Sequence, residues 1–348
     1  MAEGPRIAVL GAGSVGCFVG GAWRAAGLDV TLIGRETFAT AIAENGLVLT
    51  DHSGWRTRLA PGDVSFSTKP SALKNADIIA LGVKSTGTAE AAREIASFAR
   101  KGTLVVSFQN GVSNADALKA ELGKRFEIAQ AMVPYNVAYL GHGRFHKGVA
   151  GELMAEDLPA LRALSERIGS GPGRLTLSNN MAGVAWGKLL INLNNAVNAL
   201  SGRTLLDQLK ERDYRRVVAA SILEALDLLA AAGIEPAQIG PVPPRLLPHV
   251  IGSPNLLFNN VFLKIQKIDA KARSSMADDI AAGRATEIDY LNGEVVALAK
   301  KLGRKAPVNS AIVDLVKQAE AGVEHLWSPE GLRLHVLEGR KVPPGFGY

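Results

Sequence analysis

The sequence predicts an α/β protein with an N-terminal doubly wound sheet of the Rossmann type and a C-terminal all-helical domain. Apolar, strand-like runs alternate with helix-forming segments in the first half of the chain. A glycine-rich turn joins the first strand to the first helix, and almost every segment after residue 180 has helical character. Because 348 residues exceed what one hydrophobic core usually organises, two domains are expected.

The N-terminal half reads as successive strand–helix–strand units, which predict right-handed crossovers and a parallel sheet. Continuous apolar runs mark strands buried on both faces. The predicted strands are residues 6–10, 30–33, 77–83, 103–108 and 174–177. The predicted helices are residues 15–26 and 88–100, and residues 46–59 and 135–152 favour hairpins.

The C-terminal half predicts helices over residues 180–200, 213–232, 255–268, 286–302 and 307–320. Prolines at 241, 243, 244 and 248 indicate an irregular connector. We therefore expect a dinucleotide-binding domain over residues 1–179, a helical substrate and catalytic domain over 180–325, and a loosely attached C-terminal extension over 326–348.

Composition narrows the class of protein. A net charge of +6 suits anionic ligands. The sequence lacks the basic block with interleaved aromatic residues that would indicate nucleic-acid binding. The single cysteine, Cys17, excludes an internal disulfide and fits a reducing cytoplasm. Neither a signal peptide nor a membrane-spanning run is predicted, so a cytoplasmic protein without a membrane partner is expected. Alanine-rich helices leave monomer and homodimer open.

Gly11-Ala12-Gly13-Ser14-Val15-Gly16 follows a predicted strand and opens a helix, which is the context of a dinucleotide-binding turn. Gly11 permits the tight turn, Gly13 lets the backbone approach a pyrophosphate, and Gly16 lets helix and strand pack closely. The helix N-terminus at Ser14 and Val15 faces the phosphates.

The end of the second strand indicates which dinucleotide binds. An acidic residue there accepts a hydrogen bond from the ribose 2′-hydroxyl of NAD, whereas a basic residue accommodates the 2′-phosphate of NADP. The strand ends Ile33-Gly34-Arg35, and the guanidinium of Arg35 can pair with a phosphate. This favours NADPH/NADP⁺ as cofactor, although a shift of one residue would place Glu36 at the ribose.

Two further polar loops follow predicted strands, at the sheet edge where open α/β sheets bind ligands. Lys84 lies in the first and Asn110 in the second. A surface lysine and a simple Asn-Gly turn are the plainer interpretations. Their occurrence on one edge favours ligand binding.

A helix in the second half carries Lys188, Asn192 and Asn195 on one face. Such a stripe is often the solvent side of an amphipathic helix. The flanking Trp186 and the apolar positions from Leu189 onward indicate instead a mostly buried helix, whose lysine must serve a ligand or a partner.

Residues 274–293 contain the remaining polar pattern, with Ser274-Ser275-Met276 followed by Arg284 to Gly293. Thr286 and Asp289 have the spacing of a capping box, which would make Glu287 a first-turn acid favoured by the helix dipole. A functional carboxylate is the alternative interpretation of Glu287.

The ordered motifs GAGSVG, GVKS, QNG, W-x-K-L-x-x-N, SSM and R-x-T-E-I-D-Y-x-N-G resemble the ketopantoate reductase (2-dehydropantoate 2-reductase) family up to about residue 320. The resemblance implies reduction of 2-dehydropantoate to pantoate by NADPH. It also implies Lys188 as general acid, with Glu287 holding the substrate or ordering the lysine.

The same resemblance implies that Ser275, Asn110 and Asn192 bind polar groups of the substrate, and that Lys84 lies between cofactor and substrate. Lys84 and Asn110 are also candidates for binding the cofactor. Ala196 stands where the family often has a second asparagine. Asn195 faces the same way as Lys188 and is our candidate to replace it.

Two other functions stay open. One is reduction of another 2-keto acid or related carbonyl on the same scaffold. The other is a non-catalytic NADPH-binding regulator, because a fold does not fix a function. If the protein is an enzyme, we expect a small 2-keto acid as its substrate. We expect no metal site, since His142 and His146 lack the further ligands that a metal needs.

Overall fold

The computed structural model describes residues 4–263, 269, 271–323 and 326–338. The chain divides into two compact units, Met1–Met181 and Ala182–Tyr348. No helix in these described stretches is long and apolar enough to cross a membrane.

Unit 1 is built on an eight-stranded sheet in the order β12-β11-β8-β7-β6-β1-β2-β5. The six strands from β8 to β5 are mutually parallel, and β11 runs antiparallel to β8. The strands are Arg6–Leu10 (β1), Asp29–Ile33 (β2), Leu47–Asp51 (β3), Arg56–Leu59 (β4), Ser65–Ser67 (β5), Ile78–Leu81 (β6), Leu104–Ser107 (β7), Glu127–Met132 (β8), Val137–Tyr139 (β9), Arg144–Lys147 (β10), Leu153–Glu156 (β11) and Leu175–Ser178 (β12).

Helices cover both faces of this sheet, which confirms the doubly wound prediction. Alternate strand residues such as Val9 and Leu10 enter two separate apolar clusters, one with α1 and α5 and one with α3 and α4. The helices of unit 1 are Ser14–Ala25 (α1), Glu36–Asn45 (α2), Thr88–Phe98 (α3), Asn114–Leu122 (α4) and Pro159–Ile168 (α5).

Both predicted hairpins form, and they join into a second, four-stranded sheet in the order β4-β3-β10-β9. Strands β3 and β10 pair in parallel, with Val48 opposite Arg144. Local sequence indicated each hairpin but not their pairing, which joins segments almost a hundred residues apart.

The described part of unit 2 contains helices and no strand, as predicted. Its helices are Met181–Asn192 (α6), Asn194–Ser201 (α7), Leu205–Lys210 (α8), Arg212–Ala231 (α9), Leu247–Ile251 (α10), Asn255–Leu257 (α11), Ser275–Ala281 (α12), Asn292–Lys301 (α13), Pro307–Glu320 (α14) and Pro329–Leu337 (α15). A π-helical turn, Phe258–Phe262, follows α11. The rest of the helix predicted over 255–268 lies largely outside the described residues.

Three predictions for this unit were wrong in detail. The helix expected over 180–200 is interrupted at Leu193, and the helix expected from 286 begins only at Asn292. The extension is not loosely attached over 326–338, because α15 packs on α9 with Leu332 and Val336 fully buried. The hydroxyl of Tyr214 also donates to the carbonyl of Trp327 at 2.5 Å.

Candidate active site

The glycine turn after β1 is shaped by backbone contacts on its inner side. The N–H groups of Gly11 and Ala12 both donate to the carbonyl of Ile33, at 3.0 and 2.9 Å. Gly11 has φ +88°, and a Cβ there would lie 2.4 Å from the backbone nitrogen of Val83. A Cβ on Gly16 would lie 2.8 Å from the carbonyl oxygen of Gly11. The fold itself therefore requires glycine at positions 11 and 16.

Gly13 differs from these two glycines. A Cβ there would meet only the Gly11 carbonyl, at 4.0 Å, so the protein has no packing reason for glycine. Helix α1 starts at Ser14 with no capping side chain and no acidic residue in its first turn. A bare helix N-terminus beside an open glycine fits the pyrophosphate of a dinucleotide.

Arg35 and Glu36 stand together at the carboxyl end of β2. Arg35 is the N-cap residue of α2 and is exposed, with its guanidinium carbon 5.6 Å from the ring centroid of Phe38. Glu36 is exposed in the first turn of the same helix. The fold thus presents both a cation and an acid at the position that distinguishes NADP from NAD.

The loops containing Lys84 and Asn110 leave the same edge of the sheet, because β6 and β7 are parallel neighbours. Both side chains are exposed. Beneath them lies a set of buried polar side chains that sequence reasoning missed, namely Ser85, Thr88, Ser107, Gln109 and Asn114. The loop position of Gln109 was the one sequence signal for this network. Two of its partners, Lys84 and Thr88, belong to the preceding crossover, so local sequence did not indicate the contacts.

Lys188 lies on α6, and the helix around it is mostly buried, as predicted. Trp186, Leu189 and Leu190 are at most 6% exposed, whereas the lysine is partly buried. Desolvation by this burial lowers the pKa of Lys188 from its ordinary value. In the described part of the chain, no carboxylate forms an ion pair with this ammonium group. The role of Glu287 stays a prediction.

Asn192 shares the Lys188 face within α6, but Asn195 lies beyond the interruption at Leu193 and belongs to α7. The Leu193 N–H still donates to the Leu189 carbonyl at 3.0 Å, so the chain continues in the same direction. Asn192 and Asn195 are both partly buried.

Helix α12 is anchored on α7 through Ser274. Its hydroxyl donates to the carbonyl of Asn195 at 3.0 Å, and its N–H donates to Asn198 Oδ1 at 2.9 Å. The Ser274 hydroxyl also caps α12 by accepting from Ala277 N–H. These contacts bring Ser275, exposed at the first position of α12, into the neighbourhood of Asn195.

The capping-box interpretation of Thr286 was wrong. The Thr286 hydroxyl accepts from Ile288 N–H at 3.1 Å, and Asp289 pairs with Lys317 at 2.7 Å. The Thr286 N–H donates to Glu320 at 2.6 Å. Glu287 is partly buried and precedes a three-residue 3₁₀ turn, so the dipole of a long helix does not explain its presence.

In the portion of the chain that the structure describes, no three His, Cys, Asp or Glu side chains are grouped as metal ligands. The doubly wound sheet and its glycine turn place the chain in the class of proteins with a dinucleotide-binding fold.

Comparison with known proteins identifies the family. The chain belongs to the ketopantoate reductase PanE/ApbA family, whose N-terminal domain model matches residues 7–159 and whose C-terminal domain model matches residues 180–320. The resemblance inferred from the motifs is thereby confirmed.

Individual relatives agree over nearly their whole length. A 2-dehydropantoate 2-reductase from Pyrococcus abyssi is 28% identical over 91% of this chain and 98% of its own. A ketopantoate reductase structure from Ralstonia eutropha JMP134 has a TM-score of 0.76 at 30% identity, covering 91% of this chain and 99% of that one. D-mandelate dehydrogenase with NADH and anilino(oxo)acetate shares the fold, with a TM-score of 0.71 at 22% identity over 91% and 99% of the two chains.

Proposed function

We propose that this protein reduces 2-dehydropantoate to pantoate with NADPH, and that Lys188 is the general acid. The observation that carries the proposal is the desolvated ammonium group of Lys188 on a mostly buried helix, without a carboxylate partner in the described residues. A structural lysine would be solvated or paired, whereas a proton donor must be available to the substrate.

When bound, the dinucleotide would supply the hydride that reduces the C2 ketone carbon. Negative charge then develops on the ketone oxygen, where the Lys188 ammonium stabilises it and transfers one proton to give the hydroxyl group. Lys188 is left neutral and recovers its proton from solvent. Burial assists this step, because a lowered pKa makes the ammonium a stronger acid.

The remaining candidate residues have roles that fit their chemistry. Gly13, Ser14 and Val15 would receive the pyrophosphate, and Arg35 would pair with the 2′-phosphate. Lys84 would contact the cofactor at the position next to the substrate. Amide and hydroxyl groups would bind the substrate's carboxylate and hydroxyl, and Glu287 would hold the substrate or order Lys188. The residues that would supply these amide and hydroxyl groups are Asn110, Asn192, Asn195 and Ser275.

Reduction of a different 2-keto acid is the alternative, and Ala196 is the observation that favours it. Ala196 is completely buried and offers no polar group where the family often has an asparagine. The fold shared with a D-mandelate dehydrogenase makes an aryl 2-keto acid a sensible competitor to include in the test.

The test is turnover of 2-dehydropantoate, pyruvate, 2-ketoisovalerate, 2-ketoisocaproate and benzoylformate, measured by loss of NADPH absorbance, with NADH as the comparison cofactor. Lys188→Ala is assayed beside Lys300→Ala, whose lysine is exposed on α13. We expect the highest kcat/KM with 2-dehydropantoate and NADPH, abolished only by Lys188→Ala. A higher kcat/KM with another 2-keto acid would identify that acid, and not 2-dehydropantoate, as the substrate. No turnover despite NADPH binding would favour the regulator.

A further inference from the structure

The loops that carry Lys84 and Asn110 are joined by buried side chains. Gln109 is central: its Nε2 donates to the Thr88 hydroxyl at 2.8 Å and points toward the Lys84 carbonyl at 3.4 Å. Its Oε1 accepts from the Ser107 hydroxyl at 3.0 Å. One amide therefore contacts the end of β7, the first residue of α3 and the backbone of the Lys84 loop.

A second set of contacts closes the network on the Asn110 side. Asn114, the first residue of α4, has Oδ1 2.9 Å from the Thr88 hydroxyl and donates from Nδ2 to Ser85 Oγ at 3.2 Å. Nδ2 also donates to the Asn110 carbonyl, which accepts from Ser85 Oγ at 2.9 Å as well. The backbone of Asn110 is thus held from two sides.

All members of the network are buried, with Ser85 at 0%, Asn114 at 3%, Thr88 at 5% and Gln109 at 7% exposure. Buried polar groups add little net stability over well-packed apolar ones, but they impose one specific arrangement when every member is satisfied. The network fixes the backbones of Lys84 and Asn110 while leaving both side chains exposed. That is the arrangement expected of a support for two ligand-binding side chains.

We propose that Gln109 and Thr88 are positioning residues that hold the Lys84 and Asn110 loops in a fixed relation to each other. The ligands served are those of the proposed function: Lys84 faces the cofactor, and Asn110 faces the substrate. Neither Gln109 nor Thr88 touches a reacting atom in this proposal, and both act through the backbones that they hold.

The test compares Thr88→Val with Thr103→Val. Thr103 is also a buried threonine of unit 1, but it lies just before β7, at the opposite end of the strand, and its hydroxyl donates to the Ala76 carbonyl at 3.2 Å. Both variants should lose thermal stability, and Thr88→Val should lose more because its hydroxyl has more buried partners. Only Thr88→Val should raise the NADPH Kd, measured by cofactor fluorescence, and the KM for the keto acid. We expect each to rise about tenfold, the effect of one strong hydrogen bond.

Thr88→Ser retains the hydroxyl and should bring both constants back to near the wild-type values. Equal NADPH Kd and KM values for Thr88→Val and Thr103→Val would overturn the proposal, since the network would then be only structural. If wild-type protein turns over no keto acid, the proposed function fails, and the NADPH Kd comparison still decides the positioning role. Gln109→Met, close in size, replaces Thr88→Val if that variant does not fold.

Discussion

Glu224 Oε2 accepts two hydrogen bonds from Asn309, one from its backbone N–H and one from its Nδ2, each 2.8 Å long. The other carboxylate oxygen accepts from Val308 N–H at 2.9 Å. Glu224 is a buried residue of α9, and Val308 and Asn309 are in the first turn of α14. A carboxylate from one helix thereby caps the N-terminus of another, where the helix dipole favours negative charge.

Glu224→Gln should lower the free energy of unfolding by about 2 kcal/mol. The NH₂ group of the glutamine would face an N–H group of α14, and neither donor would then have an acceptor. Urea denaturation measures the change. The matched control is Glu235→Gln, whose side chain is 83% exposed and 3.7 Å from Arg245. That variant should have an unchanged midpoint. Equal midpoints for both variants would contradict the capping role.

Part of this fold could be predicted because its signals are local. The glycine turn, the continuous apolar strands and the two hairpins each arise within a short stretch of sequence. Other features could not be predicted because the partner lies far along the chain. Thr286 has the spacing of a capping residue, yet Glu320, 34 residues away, takes the Thr286 N–H.

The candidate site shows the same division. The partial burial of Lys188 could be predicted because helical spacing places it beside buried apolar residues. Asn292, in the motif that also contains Glu287, offered no such signal. It is fully buried and donates from Nδ2 to Asn309 Oδ1 at 3.0 Å, so it supports packing of α13 on α14. Sequence alone did not distinguish this structural amide from a ligand-binding one.

Lys188→Met should raise the stability of the protein while abolishing its reductase activity. The folded state holds a desolvated ammonium group, and a methionine of similar length removes that cost. Because the folded pKa is lowered, the cost is fully present below that pKa and disappears as pH rises toward the ordinary value of 10.5. Thermal unfolding at neutral pH should therefore show a higher Tm for Lys188→Met, and the gap should narrow in alkaline buffer. A lower Tm at neutral pH would refute the argument.

The pH profile of kcat/KM should report the same group. The general acid must be protonated, so activity falls as pH rises through the lowered pKa of Lys188. We expect the alkaline limb to have its midpoint below the ordinary lysine value of 10.5. A midpoint at or above that value in the wild type would argue against Lys188 as the titrating acid.

Arg35→Ala should weaken NADPH binding by about ten- to a hundredfold, the effect of one charge-assisted hydrogen bond, and leave NADH binding nearly unchanged. Fluorescence titration with each cofactor measures the difference, and Arg56→Ala, exposed on β4, is the control. The competing assignment makes Glu36 the ribose ligand. In that case Glu36→Ala would weaken NADH binding and Arg35→Ala would affect both cofactors equally.

Leu332→Ala tests whether the C-terminal segment is part of the folded unit. Leu332 is completely buried on α15 against α9, so truncation should cost about 2–5 kcal/mol from lost burial and the remaining cavity. Leu256→Ala is the same substitution at a side chain that is 80% exposed and should change stability little. Chemical denaturation of both variants shows whether α15 belongs to the folded core or is a loosely attached extension. If Leu332→Ala were as mild as Leu256→Ala, α15 would not contribute to the core, and removal of the chain from residue 326 onward would leave unit 2 folded. We expect instead that such a truncation unfolds it, because the apolar face of α9 would be exposed to water.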